Sequence, residues 1–169
     1  MSNKKSTAKA NFEKTSRSEA LALGARFQQA LSPLCKVITL AGSLRQEKDM
    51  VGDIDIVVVP KSDPATFLEE VKSIIEYEYG GTKKIFGMFE DRPINIFVTN
   101  DTSYGATLYQ ASGPYRYNLV MRARAKKLGM KLNEYGLWNR ITNEYIAGAS
   151  EEDIFIAMGM KYRSPELRK

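Results

Sequence analysis

The chain is expected to fold as an α+β protein: a mixed β-sheet with helices, followed by a smaller α/β unit. Three observations predict this. Apolar runs of strand length, at 37–41 and 54–59, alternate with stretches of helical spacing. A second pair of runs, 84–89 and 94–98, flanks Asp91-Arg92-Pro93 as a hairpin would. Beyond residue 105 the pattern restarts on a smaller scale, with Pro114 opening a helix and Gly129 placed to end it.

Taken in order, residues 1–15 are polar and rich in Lys, Ser, Ala and Asn, and are expected to form a disordered basic tail. Ser16 or Ser18 caps a helix reaching about residue 31, with Leu21, Leu23, Ala25, Phe27 and Leu31 as its apolar surface. Ser32-Pro33 ends it. The run Val-Ile-Thr-Leu-Ala at 37–41 reads as a buried strand, and Gly42-Ser43 turns the chain into a short helical stretch. A second strand at 54–59 stops at Pro60. Ser62-Asp63-Pro64 starts a helix to about residue 77, with Phe67, Val71, Ile74 and Ile75 at helical spacing, and Gly80-Gly81 closes that segment.

The hairpin completes a first unit at 16–105. In the second unit, 106–169, a helix runs from Ser112-Gly113-Pro114 to about residue 128. A strand pair, 131–138 and 141–146, surrounds Asn139-Arg140. Ser150-Glu151-Glu152-Asp153 resembles a capping box that opens a last helix through residue 158.

Composition narrows the chemistry. With 169 residues and 43% apolar content, a real core can form. The chain has no His, which excludes imidazole bases, Ser-His triads and the common zinc sets. The single cysteine, Cys35, cannot form an internal disulfide and reads as a small buried hydrophobe. Any metal must therefore be held by oxygen ligands, which favours Mg²⁺, with Mn²⁺ or Ca²⁺ as alternatives. No run approaches the length of a membrane span, and the start lacks a signal-peptide stretch. A cytoplasmic protein without a membrane partner is expected.

The net charge of +5 is unevenly spread. Between Thr102 and Asn133 lie Arg116, Arg122, Arg124, Lys126, Lys127 and Lys131 and no acid, interleaved with Tyr115 and Tyr117. Such a face attracts a phosphate backbone, and it is also what an ordinary solvated helix presents.

The residues that carry chemistry lie between 42 and 55. Asp53 and Asp55, two apart on a strand, point to one face, where two carboxylates repel unless a cation sits between them. Gly42 lets backbone approach a ligand closely. The N–H groups of Ser43 and Leu44 open a helical turn, which suits an anion. The Ser43 hydroxyl adds a donor, and Arg45 can neutralise charge. Phosphate at one end and a divalent cation at the other match an in-line displacement at phosphorus.

This stretch, from Gly42-Ser43 to Gly52-Asp53-Ile54-Asp55, resembles the nucleotidyltransferase signature of the DNA polymerase X family, which includes polymerase beta. The second unit adds to the likeness. Ser112-Gly113-Pro114 resembles that family's Thr-Gly-Ser turn, Asn118-Leu119-Val120-Met121-Arg122 its Asn-x-x-Met-Arg helix, and residues 132–137 its Leu-Asn-Glu-Tyr-Gly-Leu strand. The ending from Glu151 through Arg168 is also similar. The resemblance covers about residues 20–168 and implies a nucleotidyltransferase palm followed by a small thumb, as in the compact viral members.

It also implies roles. Gly42, Ser43, Gly52 and Gly113 would lie against the incoming nucleotide, with Asn118 at its minor-groove edge. Asp53 and Asp55 would bind metal. Arg122 would reach the template strand, and Tyr135 would support the closed thumb. Lys126, Lys127 and Lys131 would lie near backbone phosphates on charge alone.

Three departures stand out. Asn95 occupies the position of the family's third metal-binding Asp. It can offer an amide oxygen but no charge, and it cannot take a proton. Glu90, Asp91 and Asp101 lie four to six residues away, on the order of 13–20 Å along an extended chain. Gln110-Ala111 stands where the family has a Tyr-Phe sugar wall, leaving selectivity between dNTP and NTP open. Gln46 replaces the second basic residue of the signature.

The expected function is template-directed addition of dNTP to a primer 3′-OH on primed or gapped DNA, by two-metal chemistry with Mg²⁺ or Mn²⁺, acting as a monomer in gap-filling repair. Two alternatives stay open. One is a template-independent or small-molecule nucleotidyltransferase. The other, motivated by Asn95, is a catalytically weakened binder of DNA or nucleotide.

Overall fold

The structure is a computed structural model that describes residues 12–169. Most of the expected basic tail therefore lies outside the described residues. At its inner end, Thr15 and Ser16 form a short strand, β1 (Thr15–Ser16). Helix α1 (Arg17–Leu31) follows, and Ser16 is its cap. The Ser16 hydroxyl accepts from the Glu19 N–H, while the Glu19 carboxylate accepts from the Ser16 N–H. These reciprocal bonds satisfy backbone donors that the first turn leaves unpaired. A 3₁₀ turn at Ser32–Leu34 ends the helix at Pro33 and leads into β2 (Cys35–Leu40). Cys35 is buried, and burial raises its thiol pKa to about 11, as expected of a core residue rather than a nucleophile.

Helix α2 (Gly42–Arg45) is a single turn after β2. Then come β3 (Met50–Val51), which pairs with β1, and β4 (Ile54–Pro60). Helix α3 (Pro64–Val71) starts as expected, with Asp63 accepting from the Ala65 and Thr66 N–H groups. It ends six residues before the expected boundary. Its last turn tightens, with Ile74 N–H donating to Val71 O, and the chain enters β5 (Glu76–Gly80). Ile74 and Ile75 fit helical spacing, but Glu76-Tyr77-Glu78-Tyr79 alternates with period 2, and aromatic residues favour a strand. Strands β6 (Lys84–Phe89) and β7 (Arg92–Val98) form the hairpin. Its two turn residues, Glu90 and Asp91, take positive φ.

The five-stranded sheet runs in the order β2-β4-β7-β6-β5. Only β4 and β7 are parallel, and they set Asp55 directly opposite Asn95. Ile54, Ile56 and Val58 of β4 pack with Ile94 and Ile96 of β7 in the main core, together with Phe27 and Leu31 of α1 and Phe67 and Val71 of α3. Asp53, Asp55 and Val57 take the other face by strand alternation.

Helix α4 (Tyr104–Ser112) was not anticipated. It is buried on nearly every side, so it shows no polar face and hence no helical periodicity. A Cβ on Gly105 would lie 2.2 Å from the Ser150 backbone, which only glycine tolerates. Leu108 packs with Ala41 and Val57 from the sheet, whereas Ala106 and Tyr109 join the second core. The helix thus runs through the expected 105/106 division and ties the two units together.

The second core collects Tyr117, Met121 and Ala125 of α5 (Tyr115–Lys127) with Leu132, Leu137, Ile154 and Phe155. The expected strand pair is a three-stranded antiparallel sheet: β8 (Met130–Asn133), β9 (Gly136–Asn139) and β10 (Tyr145–Ala147). The stretch 131–138 is two strands because Asn133 breaks it. Its side-chain oxygen accepts from the Tyr135 and Gly136 N–H groups and turns the chain. Helix α6 (Glu151–Ala157) is capped by Ser150, whose hydroxyl accepts from the Asp153 N–H.

Candidate active site

The β2–α2 junction and the starts of β4 and β7 meet at one point. Ala41 N–H donates to Asp55 O at 2.8 Å, fixing the turn to β4. Gly42 then adopts φ 56°, and a Cβ there would lie 2.0 Å from Asp55 Oδ2. The turn and the carboxylate fit together only because residue 42 has no side chain. From β7, the Asn95 side chain donates through Nδ2 to Asp53 Oδ2 at 2.9 Å and to Asp55 Oδ1 at 2.8 Å. All three side chains are half-buried.

Two carboxylates and an amide therefore converge beside a glycine turn. The donor set suits a hard dication: two anionic oxygens are in place, and rotating the Asn95 amide by half a turn puts Oδ1 where Nδ2 sits. Among the described residues no group of three acidic, His or Cys side chains is placed to hold a metal ion. Glu90 is engaged elsewhere, accepting from Arg26 Nη2 at 2.6 Å.

Arg45 behaves differently from its sequence reading as a neutraliser of phosphate. Its guanidinium donates to both carboxylate oxygens of Glu151, with Nη1 at 2.9 Å from Oε1, and to the Ser112 hydroxyl at 2.8 Å. Glu151 is only 4% exposed and also accepts from Arg168 Nη2 at 2.9 Å and from the Tyr162 hydroxyl at 3.2 Å. Burial pushes the Glu151 carboxyl up, but the Arg45 hydrogen bond and the Arg168 charge outweigh it and hold the group below the usual carboxylate range. Arg45 is thus bound into a buried ion-pair cluster between α2 and α6. Local spacing could not show this, because the partner lies 106 residues away.

Gln46 donates to the Ser112 carbonyl at 2.6 Å, next to the cis Gly113–Pro114 bond. It joins α2 to the end of α4. Ser43, in the turn after β2, and Gly52, directly before Asp53, are half-buried, and Gly113 is buried at the α4 end.

Asn118 and Arg122 of α5 are both held by Gln110. Asn118 Nδ2 donates to the Gln110 carbonyl at 3.1 Å, and Arg122 Nη2 to Gln110 Oε1 at 2.9 Å. Asn118 Oδ1 and Arg122 Nε are buried without a hydrogen-bond partner among the described residues. Lys126, Lys127 and Lys131 are exposed. Arg124 leaves the expected basic face, since its Nε and Nη2 both donate to the Met158 carbonyl at the end of α6. Tyr135 accepts from Lys83 Nζ at 2.9 Å, and the ammonium lies 4.8 Å from its ring centre. That contact between the main sheet and the β8–β9 turn was missing from the sequence reading, as was the role of Glu151.

Comparison with known proteins places this arrangement. A family model for the DNA polymerase beta thumb matches residues 107–169. The repair DNA polymerase X of African swine fever virus (a South African tick isolate) is 28% identical over 155 residues, covering 83% of this chain and 86% of that protein. The DNA polymerase/3′-5′ exonuclease PolX of Bacillus subtilis is 25% identical over 158 residues, which cover 89% of this chain but only 28% of that longer protein. Among solved structures, Leishmania infantum polymerase beta in a ternary primer/template complex superposes with a TM-score of 0.79 over 93% of this chain and 77% of that one, at 22% identity. The sheet with its glycine turn and carboxylates fits a palm, and residues 107–169 match the polymerase beta thumb: in sequence and in fold the chain is similar to members of the DNA polymerase X family.

Proposed function

We propose that the chain is a DNA-directed DNA polymerase that adds a dNTP to a primer 3′-OH, acting in repair on primed or gapped duplex. The convergence of Asp53, Asp55 and Asn95 beside the Gly42 turn carries this reading. Its likeness to repair DNA polymerase X over most of both chains supports it.

In this reading the first turn of α2, with the Ser43 hydroxyl, receives the triphosphate, and Gly52 and Gly113 give the nucleotide close passage. Asp53, Asp55 and the Asn95 amide oxygen would hold Mg²⁺ or Mn²⁺, which when bound offsets phosphate charge and makes the primer hydroxyl easier to deprotonate. Arg45 offers the phosphates no free charge, being paired with Glu151, and Gln46 is neutral and donates to the end of α4. Asn118 and Arg122, aligned by Gln110, would meet the nascent base pair in the minor groove. Lys126, Lys127 and Lys131 would follow the backbone. Tyr135, joined to Lys83, would steady the thumb against the palm.

A second reading, a weakened enzyme, draws on Asn95 specifically, since an amide cannot accept the primer's proton. Single-nucleotide extension of a one-nucleotide gap tests both readings. Extension is expected to require Mg²⁺ or Mn²⁺, to be lost in Asp53→Ala, and to rise in Asn95→Asp by about 100-fold, the scale of one acid–base contribution. Extension by Asp53→Ala would remove the site assignment. Equal rates for the chain and Asn95→Asp would remove the weakened reading.

A further inference from the structure

The Asn95 amide faces both Asp53 and Asp55. It spans the two carboxylates, giving one N–H to each, at 2.9 Å and 2.8 Å. The parallel register that sets Asn95 opposite Asp55 fixes this placement. Hydrogen bonds to ionised acceptors are about twice as strong as neutral ones. They leave the net charge of the pair unchanged, however, so the site still attracts a dication.

Two consequences follow for cation binding. Mg²⁺ and Mn²⁺ favour six oxygen ligands, and Mg²⁺ typically takes one or two carboxylates, several waters and substrate phosphate oxygens. An ion held by Asp53 and Asp55 must displace the amide or make it rotate, and it gains only two anionic ligands in return. Phosphate oxygens supply what is missing. A second ion needs a further anionic ligand. Asn95 offers a neutral oxygen at most, Glu90 is paired with Arg26, and no third acidic side chain joins the pair among the described residues.

Resting on the nucleotidyl-transfer reading, we propose that Asn95 makes this a one-ion site. The chain takes up a divalent cation together with a nucleoside triphosphate, binds it poorly alone, and holds one ion where a third carboxylate would let it hold two. Asn95 is thus a residue that sets metal stoichiometry, separately from any effect on rate.

The test uses Mn²⁺ and an α,β-imido deoxynucleoside triphosphate, which binds without reacting. Bound Mn²⁺ is counted by electron paramagnetic resonance on the full chain and on Asn95→Asp, with the nucleotide analogue alone as the blank. The expected result is one ion per bound analogue for this chain and two for Asn95→Asp. Nucleotide-free Asn95→Asp is expected to bind Mn²⁺ at least about tenfold more tightly, as an added anionic ligand dictates.

Two ions in both proteins would overturn the inference while leaving the proposed function in place. An ion and analogue held by Asn95→Asp but not by this chain would also overturn it, showing that the amide excludes the cation altogether. Failure of both proteins to bind analogue with Mn²⁺ would overturn the inference and the proposed function together.

Discussion

At the scale of single residues, the site depends on Gly42 as much as on its acids. The positive φ and the 2.0 Å approach to Asp55 act together, so Gly42→Ala must both strain the backbone and push Asp55 from Asn95. We expect Gly42→Ala to lose about 1–3 kcal/mol of stability, the cost of a side chain in such a conformation. We expect it to abolish primer extension at temperatures where the protein stays folded. Urea unfolding and gap extension measured on one preparation check this, and an active, fully stable variant would show that the turn relaxes freely. This part of the site was legible in the chain because glycine, carboxylates and strand alternation sit within fourteen residues. Arg45 was misread for the opposite reason. A guanidinium beside a phosphate turn and one paired with a distant carboxylate look alike in sequence, and only the fold brings Glu151 to it.

At the scale of elements, α5 carries most of what should grip DNA. Its turn at Pro114 and its end at Gly129 were readable, since Pro and Gly act through local backbone geometry. Its neighbour α4 was not, because a helix buried on all sides has no amphipathic pattern to read. The edge strand β5 was hidden by two isoleucines that also suit a helix. The exposed lysines at the end of α5 differ in consequence from Arg124. Lys126→Gln and Lys127→Gln are each expected to weaken DNA binding and to lower the slope of log affinity against log salt by about one, with little change in stability. Arg124→Gln removes the two bonds to the Met158 carbonyl and should instead loosen α6. Fluorescence anisotropy across a salt series separates these effects. An unchanged slope in both lysine variants would move the DNA path off this end of the helix.

At the scale of the whole molecule, palm and thumb are joined by α4, by the Lys83–Tyr135 contact and by the Glu151 cluster. The last of these is the deepest: Glu151 links α2, α6 and the C-terminal Arg168, whose side chain is fully buried and lies over the Tyr109 and Phe155 rings. Removing the shared anion strands two cations, one of them wholly out of water. Breaking a buried pair from one side costs about 3–5 kcal/mol, so Glu151→Gln should lose stability on that scale at neutral pH.

The sign of the pH dependence follows from the lowered Glu151 pKa. Its stabilising contribution is complete above the ordinary Glu value of about 4.3 and fades as pH falls through the lower folded value. The gap between wild type and Glu151→Gln should therefore be constant from neutral pH to about 5 and narrow below about 4. Other carboxylates with lowered values, such as Glu19 and Glu90, titrate in both proteins and cancel in the difference. Urea unfolding at a series of pH values reads that difference directly. A gap that does not narrow on acidification would mean that the two arginines are held by packing and ring contacts, and that Glu151 adds shape rather than charge to the joint between palm and thumb.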